Sequence, residues 1–211
     1  MLNKDSLKLN NKKVTVALTG GSGVAYSIRL LEALLEANIK VYGVISKAAI
    51  VVLKQELDIN LPEDIAGINN YFQNYFQLKN KNNLTFYELH DWFSPVASGT
   101  AVPDAMVICP CSGGSLAAIA HGMSDNLIER AADVILKEQK KLILVTREMP
   151  LSTIHLENML KLARLGVTIM PASPGFYYRP EKVIDLVDFV VGRILSSLGL
   201  SQELIPSWGR S

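Results

Sequence analysis

Glycine, serine and a few cations fall at regular intervals along this chain, and together they have the chemistry of an anion site. The stretch VALTGGSGVAYSIRLLEALLEA, residues 16–37, is a β-branched run, a turn of Gly20, Gly21, Ser22 and Gly23, and then an amphipathic helical pattern. Glycine leaves backbone N–H groups accessible at a helix N-terminus, and a neighbouring serine adds a hydroxyl donor, which is what a phosphate requires. Ser46 and Lys47 follow the next apolar run, and Cys109-Pro110-Cys111-Ser112-Gly113-Gly114-Ser115 the one after the polar insertion. Arg147 and Glu148 follow another, and PASPGFYYRP the last. One such turn alone is equally a tight strand-to-helix connection, whereas the whole set reads as a cradle. The dinucleotide fingerprint fails, because counting from Gly21 places Tyr26 where the third glycine belongs, and no phosphate-loop G-x-x-x-x-G-K-[ST] occurs. The second run ends in Ser46 and not in the acid that would hold a ribose 2′-hydroxyl, so a mononucleotide such as FMN fits better than NAD.

The cations suggest a second phosphate. Lys137, Arg147 and Arg193 with the phenol of Tyr177 can neutralise it, and no H-E-x-x-H or carboxylate pair points to a metal. Arg130 and Lys137, seven apart on a helical pattern, read equally well as a solvated face with Glu129 and Asp133. His90, His121 and His155 are scattered. Cys109 and Cys111 are too close to bridge comfortably and too few for a zinc site, so they read as reduced residues where a strand leaves the core.

These residues need a frame to hold them. Short apolar runs at 14–19, 41–46, 105–109, 142–146 and 167–170 have the unbroken character of parallel strands covered on both faces. Helical patterns lie between most of them, at 25–37, 47–57, 115–137 with a break near Gly122, 153–165 and 181–198. The alternation predicts an α/β fold, a Rossmann-like or flavodoxin-like doubly wound parallel sheet in a three-layer sandwich. An insertion at 61–103 carries a helix around 64–76 and the polar KNKNN, as a lid or an edge elaboration. With 211 residues, the expected organisation is an N-terminal arm at 1–12, one domain at 13–200 and a tail at 201–211. Trp208 in that tail is expected to pack on its own body or on a neighbouring subunit. The net charge of +1, with no block of like charge, argues against nucleic acid. The lack of any apolar run near ~18 residues argues against a membrane. A polar N-terminus of mixed charge predicts a cytoplasmic protein.

The segments TGGSG, SKAA, DWFSPVASGT, MVICPCSGGSLAAIAHGMSDNLIERAADVILKE, LVTREMPLSTIHLENMLKLARLG and MPASPGFYYRP resemble, in this order, the UbiX-type flavin prenyltransferases. The likeness runs from about Lys13 to Trp208. It implies transfer of a dimethylallyl group from dimethylallyl monophosphate to N5 and C6 of reduced FMN. The product, prenylated FMN, would go to a UbiD-type decarboxylase, in many bacteria for ubiquinone synthesis. It also implies metal independence and a homododecamer with active sites between subunits.

By the same resemblance, Gly20, Gly21, Ser22, Ser46, Ser112, Gly113, Gly114 and Ser115 hold FMN, with Arg147 touching flavin and donor phosphate and Arg130 beside them. Tyr177, Arg193 and Lys137 form the donor-phosphate site, and Trp92 and Trp208 border the prenyl group. Ser22, Glu56, Lys137 and Glu148 make up the catalytic set, Glu56 for proton handling. Tyr178 and Arg179 depart from the family, which commonly has histidine after the tyrosine. FMN-dependent cysteine decarboxylases share the fold type, but their P-x-M-N-x-x-M-W run is absent. A non-catalytic FMN carrier would leave Lys137, Tyr177 and Arg193 idle.

Overall fold

The computed structural model describes residues 12–205. Among them, six strands form one sheet in the order β3-β2-β1-β4-β5-β6. The strands are β1 (Lys13–Leu18), β2 (Lys40–Ile45), β3 (Leu84–Tyr87), β4 (Ala105–Cys111), β5 (Lys141–Thr146) and β6 (Thr168–Pro171). Every neighbouring pair is parallel, so all strands end at one edge of the sheet. The long apolar runs form its centre because both faces are covered. Val14, Val16 and Leu18 of β1 enter one core, while Ala17 enters the other.

The helices are α1 (Val24–Glu36), α2 (Lys47–Leu57), α3 (Ile65–Tyr75), α4 (Gly113–Ala120), α5 (Leu127–Lys137), α6 (Thr153–Arg164) and α7 (Val183–Ser197). Buried residues of α1, α2, α3 and α7 share the first core, and those of α4, α5 and α6 the second, giving three layers. α1 and α7 are joined by an Arg29 to Asp188 ion pair at 2.6 Å. The helical pattern expected at 115–137 with a break near Gly122 forms two helices, α4 and α5, with Gly122 at φ 68° between them. No helix among the described residues is long and apolar enough to cross a membrane.

The insertion is an edge elaboration. It contributes α3 and a strand the sequence patterning did not single out, β3, which pairs with β2 from Val41↔Leu84 to Val44↔Tyr87. Asn69 of α3 completes that edge, donating to the Phe86 carbonyl at 2.9 Å and accepting the Phe86 amide at 2.7 Å. Phe72 stacks on Phe86 with ring centroids 4.8 Å apart, fixing α3 over the strand. β4 runs two residues further than expected, with a register shift between Ile108 and Cys111 where Pro110 interrupts the ladder. At the chain's far end, Leu204 packs against the first core.

Candidate functional site

The carboxyl edge of a parallel sheet collects the turns that follow each strand. Here the turn after β1 and the turn after β4 are clipped together by Thr19. Its hydroxyl donates to the Pro110 carbonyl at 2.7 Å and accepts the Ser112 amide at 2.8 Å, in a site 1% exposed. The two loops approach so closely that side chains have no room. A Cβ on Gly21 would stand 3.2 Å from Pro110 Cβ, and one on Gly20 only 2.6 Å from Ala48 Cβ at the start of α2. Gly23 at φ 102° turns the chain into α1.

α2 lies across this edge, since its other end also meets the turn. Glu56 accepts the Gly23 amide at 2.9 Å and the Val24 amide at 3.1 Å. A carboxylate at the α1 N-terminus complements the helix dipole and holds Glu56 beside the glycine turn. The amides of Gly21, Ser22, Gly113 and Gly114, by contrast, have no acceptor among the described residues. A Cβ on Gly114 would meet nothing within 4 Å, so the first turn of α4 faces open space.

The serines serve as caps. Ser46 accepts the Ala49 amide at 3.1 Å, and Ser112 accepts the Ser115 amide at 3.3 Å. Capping uses a lone pair, so the hydroxyl proton of Ser46 remains able to donate to a ligand. With open amides in the glycine turn and at the α4 N-terminus, and hydroxyls alongside, these residues fit the phosphate and polar chain of FMN.

Arg147 and Glu148 follow β5 on this edge, both exposed, with their closest charged atoms 4.0 Å apart. So loose and solvated a pair contributes little to stability and leaves the guanidinium available. The loop after β6 is joined to β5 by the Ala172 amide donating to the Thr146 carbonyl at 2.8 Å. On that loop Tyr177 is 56% exposed, with its ring against Phe189 at 5.7 Å. Arg193 is one turn further along α7 than Phe189, on the same stripe of that helix. Tyr178, the departure from the family, stacks on Phe189 at 5.4 Å and donates to the Asp185 carbonyl at 2.7 Å. It is a support for the loop.

Lys137 is elsewhere. It occupies the last turn of α5, in the opposite helix layer and at the amino edge of the sheet, paired with Glu138 at 2.9 Å. Arg130 donates to the Ala97 carbonyl and pairs with Asp133, both at 3.1 Å. Trp92, 46% exposed, stands in the turn beyond β3. Trp208 lies outside the described residues. The cysteines are free and buried at the end of β4, and burial pushes each thiol up to about 12, so both stay protonated at neutral pH. Among the described residues, no group of three or more His, Cys, Asp or Glu side chains could hold a metal.

In the sequence Thr19 closes an apolar run and looks like one more strand residue. The only signal is its place directly before the glycines.

Residues 2–195 match the flavoprotein family. The flavin prenyltransferase UbiX of Pseudomonas aeruginosa is 50% identical over 198 residues, 94% of each chain. The solved complex of AnUbiX (PadA1) with FMN and dimethylallyl pyrophosphate has a TM-score of 0.84 and 36% identity, over 95% of this chain and 99% of that one. A dodecameric FMN-dependent UbiX-like decarboxylase from Escherichia coli O157:H7 has a TM-score of 0.82 and 38% identity, over 94% of this chain and 100% of that one. With the cradle built from the segments that carry the likeness, this chain belongs to the flavoprotein family and, within it, to the UbiX-type flavin prenyltransferases.

Proposed function

We propose that this protein transfers the dimethylallyl group of dimethylallyl monophosphate to N5 and C6 of reduced FMN, releasing phosphate and prenylated FMN. The observation that carries this is the ring of open amides and capping hydroxyls at the carboxyl edge, at residues 20–22, 46 and 112–115, in a chain of this family. The flavin, when bound, supplies the nucleophilic ring atoms. The protein's residues do the rest.

The residues at 112–115 hold the flavin phosphate and ribityl chain, and those at 20–22 and Ser46 the ring side, with Arg147 between flavin and donor. Breaking the allylic carbon–oxygen bond builds negative charge on the leaving phosphate. Tyr177, Arg193 and Lys137 neutralise it without needing to reorganise. The positive charge left on the allyl group is met by the π face of Trp92, a contact worth ~2 kcal/mol in a dry site. Glu56, tied at the glycine turn, is placed to take a proton as the ring closes.

Lys137 belongs to the opposite layer of its own chain, so the Lys137 at a given site comes from another subunit. The dodecameric relative supports an assembly in which such a contribution is available. A UbiD-type decarboxylase receives the product, and the enzyme works in the cytoplasm, where free thiols such as those of Cys109 and Cys111 stay reduced.

The test is anaerobic incubation with reduced FMN and dimethylallyl monophosphate, with the pyrophosphate ester in parallel, read by mass spectrometry. The expected result is flavin heavier by one dimethylallyl unit. Arg193→Ala should raise the KM for the donor at least roughly tenfold while FMN affinity holds, because a charge-assisted hydrogen bond is lost at one site only. Unmodified FMN returned by folded, FMN-loaded protein would overturn the assignment.

A further inference from the structure

The start of α6 leans on the start of α4, and the contact is made by a histidine. His155 is the third residue of α6, where its Nδ1 accepts the Ser152 amide at 3.2 Å and its own amide donates to Ser152 Oγ at 3.2 Å. This is a reciprocal capping box. An Nδ1 that accepts leaves the proton of the neutral ring on Nε2. That Nε2 stands 3.0 Å from where a Cβ on Gly113 would be, and it has no hydrogen-bond acceptor among the described residues. The half-buried ring therefore presents a donor, fixed in direction, to the first turn of α4, beside the open amides of Gly113 and Gly114. It also explains the glycine, because any side chain at position 113 would press on the imidazole.

We infer that His155 is a further residue of the flavin site, its Nε2–H donating to the FMN phosphate held at the first turn of α4. This rests on the reading of that turn as the phosphate cradle. Two helix N-termini then converge on one anion, α4 through its amides and α6 through the imidazole it orients.

The competing role is structural, since a capping box serves α6 whether or not a ligand binds. Glutamate and glutamine at this position both preserve the cap, but only glutamine retains a donor. The experiment measures affinities of the full-length protein for FMN and for riboflavin, which lacks the phosphate, by quenching of flavin fluorescence, together with Tm. His155→Glu should weaken FMN binding roughly tenfold or more, the scale of a lost hydrogen bond to a charged group plus a new repulsion. Riboflavin affinity and Tm should stay near wild type, and His155→Gln should recover most of the FMN affinity. His155→Glu binding FMN as tightly as wild type would overturn the proposal. If the glutamate variant does not fold, His155→Ala decides: FMN weakened with riboflavin spared supports it, and equal weakening of both overturns it. A wild-type protein that binds the two flavins equally would instead refute the phosphate cradle itself, whatever His155 does.

Discussion

Replacing Thr19 by valine keeps the shape of the side chain and removes the oxygen that joins the two cradle loops. The part-buried Ser112 amide loses its acceptor, and the Pro110 carbonyl its 2.7 Å hydroxyl donor while keeping the Thr19 amide at 3.3 Å. An orphaned buried polar group costs about 1–3 kcal/mol, so Thr19→Val should lower stability by that amount in denaturant unfolding. FMN affinity should fall with it, because the glycine turn then loses its tie to the Ser112 amide at the start of α4 and keeps only the Thr19 amide bond to Pro110. Stability lost with flavin binding intact would show that the clip serves only the fold. At this scale the sequence is legible where a residue's chemistry is unusual for its place. Gly20 and Gly21 stand out because a strand seldom ends in two residues without side chains. Thr19 and His155 do not, since their importance comes from partners far along the chain, Pro110 and Gly113, that no local pattern reveals.

Helix starts at the carboxyl edge are secured by side chains, and α7 shows how one responds to pH. Asp185 accepts the amides of Glu181 at 2.8 Å and Lys182 at 2.9 Å, and these hydrogen bonds hold its carboxyl below the usual range. A carboxyl whose folded pKa is depressed stabilises in its charged form. Its contribution is complete above the unfolded value of about 4 and is lost as pH falls through the lower folded value. The margin in Tm of wild type over Asp185→Asn should therefore be full at neutral pH and shrink below about pH 4. A margin unchanged down to about pH 2 would mean the charge is irrelevant to the cap. The strands and most helices follow from patterning because each is long enough to show its period. β3 does not, with only Leu84 and Phe86 turned inward and its outer edge completed by Asn69 from a separate helix.

For the whole molecule, the decisive arrangement is Tyr177 on the loop that packs against α7 and Arg193 on α7 itself, with Lys137 in the opposite layer. If Lys137 acts on a neighbour's donor site, Lys137→Ala and Arg193→Ala proteins, each impaired alone at donor concentrations near the wild-type KM, should regain a fraction of the lost activity when dissociated and reassembled together. Sites pairing an intact Lys137 from one chain with an intact Arg193 from another account for the recovery. No recovery in verified mixed oligomers would place both residues within one chain. By itself the sequence determined the alternating parallel architecture and the gathering of glycine and serine loops at one edge. Hydrophobic period and turn chemistry are local properties, and in a parallel sheet all strands end on the same side. Only the tertiary structure decided which helix layer each cation occupies, that Thr19 joins two loops, and that a capping histidine reaches Gly113. Those outcomes depend on strand order and on packing between segments distant in the chain, where contact is set by the fold as a whole.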